Sequence, residues 1–411
     1  MDARTLRGWR TRIFFICWLT YAGYYLGRVN LAVALPSIQA DLHWSKAAAG
    51  LIGSAFYWVY ALGQLINGRL GDRLSARRLV AMGLVASALL NLAFGASSAL
   101  PLMALIWAAN GLAQSTGWGP MMKTLAHWFE PRQRGRLTAL FMPCYVVGHA
   151  ASWALGGWLC ASRGWRYAFI VPGGLLLVLA TAWFLLSRDG PDDATSPQPT
   201  PPSARPSLRQ ALADYYAALR HPQLSWAVGA SFLSGMIKDG LTLWAPTYLV
   251  EQIGFDLSAA GLASAAVPLA GAVGAVGAGW ATHRLETRRG AGGSREAQVV
   301  AGLAIWLGLV ALALSLSVSF APWLALLLLG AIALGSHGMN SLMMMSLPLS
   351  LGPQGKVSSA AGLLDFASYA GGGVSAVLMG LLQEQLGWGA VFGAWASVAG
   401  LILVIAWARR R

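Results

Sequence analysis

The sequence predicts an all-α integral membrane protein of twelve transmembrane helices in two pseudo-symmetric six-helix bundles. Three observations carry this. Of 411 residues, 56% are hydrophobic and 11% charged, against about 25% charged in a soluble protein. The apolar residues come in runs of twenty or more, the length that crosses the hydrocarbon core, rather than in amphipathic stripes. The basic residues, finally, fall almost entirely in alternate loops. A water-soluble enzyme is excluded by the first two, and a nucleic-acid partner for the net charge of +14 by the third.

The first six spans cover 13–38, 47–69, 79–98, 101–128, 136–160 and 167–187; the second six cover 223–250, 258–281, 297–318, 321–349, 357–382 and 388–408. Lipid offers a backbone amide no partner, so each must be helical. With the N-terminus cytoplasmic, 23 of the 29 Lys and Arg lie on the cytoplasmic side. Only Lys46, Arg163 and Arg166 lie opposite, and Arg28, Lys123 and Lys238 fall within spans. This asymmetry predicts both termini in the cytoplasm. The stretch MDARTLRGWRTR has no short apolar region with a small-residue cleavage site after it, so it reads as retained. The absence of an Asn-x-Ser/Thr acceptor agrees with a bacterial inner membrane. Cys17, Cys144 and Cys160 are an odd set within spans and no metal-ligand spacing occurs, so neither disulfide, metal nor cofactor is expected.

Residues 188–206 hold six prolines and almost no large apolar side chain, which predicts a linker over 188–221 between bundles at 1–187 and 222–411. A short helix on the membrane surface is predicted over 205–222. Three matches in order relate the halves. Arg28 and Pro36 answer to Lys238 and Pro246; GRLGDR from Gly68 answers to GWATHR from Gly279; GWRYAF from Gly164 answers to GWGAVF from Gly387. Such a duplication implies two bundles about an axis along the membrane normal, with a cavity between them.

A charge at mid-membrane costs about 2.5 to 3.5 kcal/mol on the insertion scale, so intramembrane ionisable residues are candidates for function. Arg28 stands roughly 22 Å into span 1, too deep to snorkel, with Tyr21, Tyr24 and Tyr25 one or two turns before it on its side of the helix. Lys238 holds the equivalent place in span 7. Two bare cations 10 Å apart repel by about 1.7 kcal/mol at an effective dielectric of 20, and an anion about 4 Å from each gains about 4 kcal/mol per contact before desolvation. A small anionic substrate follows, gripped in bidentate fashion by the guanidinium and as a point charge by the ammonium. Asp239 and Asp365 have two readings, as charge partner of Lys238 or as a titrating carboxylate coupling transport to protons. Lys123 reads equally as a snorkelling residue or a gate. Tyr145 and His149 share a face of span 5 that suits a cavity wall; His337 is ambiguous, and Met343, Met344 and Met345 read as packing.

GRLGDRLSARR and PRQRGR are similar to the cytoplasmic loop signatures of the major facilitator superfamily, over essentially the whole chain. Within it, YAGYYLGRVNLAVALPSI, GLAQSTGWGPMMKTLAHWFEPRQRG, KDGLTLWAPTYL and SAAGLLDFASYAGGG resemble the organophosphate:phosphate antiporters. The resemblance implies that Arg28 binds phosphate and that Lys238 completes the site; Trp118 and Lys123 are further candidate substrate-binding residues. Two departures bear on the substrate: the span 5 His of the bacterial members falls on Tyr145, and Asp365 stands where a small or neutral residue is expected. The organic anion:cation symporters share the span 1 Tyr and Arg-x-Asn features and the WxPTYL ending of span 7.

The expected function is secondary transport of a small phosphorylated metabolite or phosphonate, exchanged for inorganic phosphate by alternating access in a monomer. The alternatives are proton-coupled symport of an organic anion and a transporter-like membrane sensor. Catalysis is not expected, since no nucleophile with its base is present.

Overall fold

A computed structural model of the chain describes residues 2–130, 133, 137, 140–191, 216, 222–289, 295–316, 321–347 and 357–409. Most of the predicted linker and surface helix lies outside the described residues, as do Arg132, Arg134, Arg136, Lys356, Arg410 and Arg411. All regular structure among the described residues is helical. In the first half α1 (Ala3–Leu26), α2 (Asn30–Leu42), α3 (Lys46–Arg73), α4 (Ala76–Ala96), α5 (Leu100–Gln114), α6 (Trp118–Trp128), α7 (Pro143–Arg163) and α8 (Tyr167–Leu186) follow one another. The second half holds α9 (Pro222–Glu251), α10 (Leu257–Ser264), α11 (Ala266–Arg289), α12 (Arg295–Leu316), α13 (Pro322–Ser341) continued by a π-helical turn (Leu342–Ser346), α14 (Val357–Leu386) and α15 (Trp388–Ala408).

Local chemistry sets the ends. Asp2, Ser45, Ser75 and Asp256 cap α1, α3, α4 and α10 by accepting from a backbone N–H three residues on, and proline opens α5, α7 and α13 within their first two positions. Eight stretches of these helices are long and apolar enough to cross a membrane. Spans 1, 4, 5 and 7 fall short because they are interrupted or polar; they carry Arg28, the Ser115–Gly117 break, His149, and Lys238 with Asp239. Large side chains such as Phe15, Val178, Val276, Leu309 and Val404 are 63 to 75% exposed, a surface that only lipid covers favourably.

Predicted spans 1, 4 and 8 are not single helices, the last dividing at Ala265 into α10 and α11. Span 1 breaks at Gly27–Val29, where the carbonyl of Gly27 accepts from Asn91 Nδ2 (3.1 Å) and Asn110 Nδ2 (2.8 Å) in place of a helical N–H. Val29 O accepts from Trp153 Nε1 (3.0 Å). Span 4 breaks at Ser115–Gly117, where Ser115 and Thr116 donate their hydroxyls back to Leu112 O (2.7 Å) and Ala113 O (2.8 Å) and so compete with the helical ladder. Span 7 runs unbroken through Lys238, so the pseudo-symmetry is broken where the two cations stand.

The halves meet through α2 with α9, α3 with α14 and α7 with α10. Small residues allow the approach: a Cβ on Gly50 would meet the carbonyl of Ala376, and one on Gly261 the carbonyl of Trp153. At the end remote from the chain termini, Lys46 Nζ pairs with Glu251 Oε1 (3.0 Å) and Ala47 N donates to Glu384 Oε2 (3.3 Å), both across the halves. Toward the termini, the apolar cluster around Ile13, Val80, Leu125, Trp128 and Trp183 draws only on the first half. Polar contacts thus tie the halves together at the end remote from the termini.

Gly164 and Gly387, which open the third sequence match, have φ of 93° and 80° and start the last helix of each half. A Cβ at either meets nothing within 4 Å, so a substitution there is penalised by backbone conformation alone. Gly387→Ala is expected to cost about 1 to 3 kcal/mol, read as a lower unfolding temperature in detergent, whereas Gly174→Ala, on the exposed face of α8 with equal room, leaves it unchanged or higher.

Candidate functional site

A cavity of about 250 Å³ lies between the halves. That is the volume of roughly eight waters at about 30 Å³ each, below the range of about 300 to 1,000 Å³ for drug-sized ligands. It fits a small metabolite. The first half contributes Tyr25, Arg28, Phe56, Tyr57, Tyr145 and His149; the second contributes Lys238, Asp239, His337, Asn340 and Tyr369.

Arg28 sits in the break of span 1, so its direction is set by the amides that hold Gly27. Its guanidinium lies in a box of four rings, 4.2 Å from the centroid of Tyr60, 5.4 Å from Tyr369, 5.5 Å from Tyr25 and 5.8 Å from Phe56. Nη1 donates to Tyr60 Oη (3.2 Å) and Nη2 to Tyr369 Oη (2.7 Å). No acidic side chain pairs with Arg28 among the described residues. The Tyr60 oxygen also accepts from Gln64 Nε2 (2.9 Å), and each phenol keeps its own proton to donate to a third group.

Lys238 reaches the same cavity from α9. It is 9% exposed, its Nζ stands 4.8 Å from the Tyr369 ring, and it pairs with Asp239 Oδ1 at 3.1 Å. Tyr369 therefore touches both cations. Asp239 Oδ2 is buried without a hydrogen-bond partner, and Tyr57 donates to the Asp239 carbonyl at 3.4 Å. The wall carries two cations and one carboxylate, so the two positive charges do not face each other bare.

Across the cavity, His149 packs 4.4 Å from the Tyr25 ring, and its buried Nδ1 has no partner. Tyr145 stacks toward His337 of the other half at 6.4 Å and donates to Pro268 O at 3.5 Å. His337 Nδ1 lies 3.1 Å from Ala333 O. Met344 joins the wall, while Met343 is fully buried packing; the side chain of Met345 lies outside the described residues.

The structure thus gathers Arg28, Tyr25, Tyr145, His149, Lys238 and Asp239 of the sequence-derived set. The others stand apart. Tyr24 is buried inside the first half, donating to Val80 O (3.2 Å) and bonded to Thr116 Oγ1 (3.1 Å). Tyr21 and Trp118 pack on each other at 5.1 Å and against Phe141, outside the cavity lining. Lys123 lies beside Leu74, His127 and Asp189, toward the termini. Asp365 is half-buried one turn before Tyr369 and is not part of the lining. Sequence reasoning missed Tyr60, Tyr369 and Asn340. Tyr60 was visible as part of the i, i+3, i+7 series Tyr57, Tyr60, Gln64 on span 2; Tyr369 stood in a quoted stretch but without a charge to single it out.

The model of the Major Facilitator Superfamily matches residues 17–376. The glycerol-3-phosphate transporter of Bacillus subtilis is 28% identical over 418 residues, 95% of this chain and 90% of that protein. A probable hexose phosphate transport protein of Chlamydia pneumoniae is 28% identical over 298 residues; the match takes in 67% of this chain but spans only 65% of that protein's length. The membrane sensor protein UhpC of Escherichia coli is 28% identical over 300 residues, 69% of this chain and 67% of that protein. Among solved structures, a bacterial homologue of the human lysosomal transporter Spinster, inward-facing and unoccupied, superimposes with a TM-score of 0.76 at 17% identity, covering 98% of this chain and 96% of that one. With the family model spanning most of a helical chain that folds in two halves around a shared cavity, this multi-pass membrane protein belongs to the Major Facilitator Superfamily.

Proposed function

We propose that the protein is a secondary transporter of a small phosphorylated metabolite, exchanged for inorganic phosphate, with Arg28 and Lys238 as its anion-binding groups. The observation that carries this is Arg28 itself: a guanidinium without an acidic partner among the described residues, boxed by four rings in a cavity shared by both halves. The relatives named for glycerol phosphate and hexose phosphate support the phosphorylated class. A phosphate monoester takes two N–H groups of Arg28, the O–H of Tyr369, and a share of Lys238 against Asp239. The metabolite's hydroxyls meet His149 and Asn340 at the far wall.

Alternating access follows from the division of contacts. Anion held by a residue of each half ties the halves together at the centre, so the contacts between them at one end can be exchanged for new ones at the other. With the cavity empty, Arg28 has only neutral partners, and carrying that charge through the closing apolar contacts is costly. Reorientation with one anion or another bound avoids this, which favours exchange over net flux. The loop charges support termini on the cytoplasmic side of a bacterial inner membrane.

A second reading has its own observation. Asp239 Oδ2 is buried and unpartnered among the described residues, which makes this carboxylate the candidate to take up a proton in proton-coupled symport. A sensor that binds without turnover is the third, after the UhpC relative.

Each charge-assisted contact contributes about 1.5 to 3 kcal/mol, so Arg28→Ala and Lys238→Ala are each expected to weaken binding of phosphate and sugar phosphates by about 10- to 100-fold in calorimetry on folded protein. Unchanged affinity in both variants removes them from the site. In proteoliposomes preloaded with phosphate, the exchange reading expects trans-stimulated uptake that a protonophore leaves intact and that Asp239→Asn retains. Uptake driven by an inward pH gradient alone and abolished by Asp239→Asn establishes symport instead, and binding with neither flux establishes the sensor.

A further inference from the structure

A second cluster of positive charge lies far from the cavity, where the first and last helices of the first half emerge at the terminus end. Two guanidiniums lie over the Trp9 ring of α1: the Arg12 carbon is 4.9 Å and the Arg188 carbon 4.1 Å from its centroid. The platform is held in place from below. Trp9 stacks on Trp128 at 6.0 Å, and the Trp128 Nε1 donates to Arg188 O at 3.0 Å, fixing the backbone that presents Arg188. Neighbouring charges are engaged elsewhere. Arg10 pairs with Glu130 and donates to Trp128 O, and Asp189 accepts from the Arg77 backbone N–H. Neither Arg12 nor Arg188 pairs with an acidic side chain among the described residues.

What lies beneath these two arginines says what the missing counter-charge is. On α1, Phe15 and Leu19 stand one and two turns below Arg12 and are 63% and 54% exposed. On α8, Leu185 and Val178 stand below Arg188 and are 67% and 68% exposed. The helices are neighbours, with Leu179 of α8 packed against Gly23 of α1. The two guanidiniums therefore sit at the level where an apolar, lipid-covered surface ends. Indole rings are placed at the same boundary in membrane proteins because one side is apolar and the other polar. A ligand complementary to this arrangement has one phosphate and hydrocarbon hanging from it.

We infer that Arg12 and Arg188, stacked on Trp9, form a binding site for the phosphodiester headgroup of one anionic phospholipid, whose acyl chain lies along Phe15 and Leu19. A zwitterionic lipid brings an ammonium that two guanidiniums repel, so the site selects phosphatidylglycerol-like lipids over phosphatidylcholine-like ones. A free phosphate has no hydrocarbon to bury and gains nothing from the apolar stripe.

Native mass spectrometry of the full chain released from detergent tests this with phosphatidylglycerol and phosphatidylcholine of identical acyl chains. The expected result is at least a tenfold preference for phosphatidylglycerol in the wild type, retained in Arg4→Gln and lost in Arg12→Gln/Arg188→Gln. A preference that survives in the double variant, equal retention of both lipids, or loss of the phosphatidylglycerol adduct to millimolar inorganic phosphate overturns the site. A measurement on the wild type covers the case in which the double variant does not fold. Amide exchange of residues 4–13 is expected to slow in nanodiscs of phosphatidylglycerol relative to phosphatidylcholine, and identical rates there also overturn the proposal.

Discussion

A helix that breaks inside a bilayer frees backbone groups that lipid cannot satisfy, and the break in span 1 is where this protein meets that constraint. The carbonyl of Gly27 is taken by Asn91 and Asn110, and the carbonyl of Tyr24 by Gln114 Nε2 at 3.1 Å. These amides are themselves tied together. Asn30 Nδ2 donates to Asn91 Oδ1 and to Ala168 O, Ser87 donates to Asn110 Oδ1, and Gln114 donates to Ser87 Oγ. Asn30 Oδ1 and Gln114 Oε1 are buried with no hydrogen-bond partner among the described residues, so the network is satisfied on its donor side and not throughout. It joins α2, α4, α5 and α8 around three residues of unwound chain, and Arg28 is the middle one. Its aim into the cavity is thus a property of four helices.

The second consequence is electrostatic. An arginine in lipid needs partners, and here they are faces of aromatic rings and phenol oxygens rather than carboxylates. Such partners hold the guanidinium without neutralising it. Lys238 is treated differently, since it pairs with Asp239 at 3.1 Å. The two cations are therefore not equivalent despite their matching places in the duplicated sequence: Arg28 has no acidic partner among the described residues and Lys238 has one. Tyr369, touching both from the second half, couples their positions across the interface between the halves.

How much of the site was legible in the chain depended on the kind of signal. Arg28 and Lys238 were legible because a charge inside an apolar run has few structural excuses. Tyr25, Tyr145 and His149 followed by helical spacing. The same spacing misled for Tyr24 and Tyr21, because it assumes a continuous helix; near the break, and with α4 and α6 packed against them, these rings turn into the first half instead. Tyr60 and Tyr369 were not legible as partners of Arg28, since 32 and 341 residues separate them from it and a tyrosine in a membrane span is unremarkable alone.

By itself the sequence determined the class of the protein. Bilayer thickness converts apolar run length into helical spans, and the residues that repeat between the halves include Gly164 and Gly387, which share a positive φ. Only the tertiary structure decided where the spans break, which acid takes Lys238, and which rings enclose Arg28. Those outcomes turn on hydrogen bonds and contacts between residues far apart in the chain. Their partners are chosen by helix packing, which no local pattern of residues records.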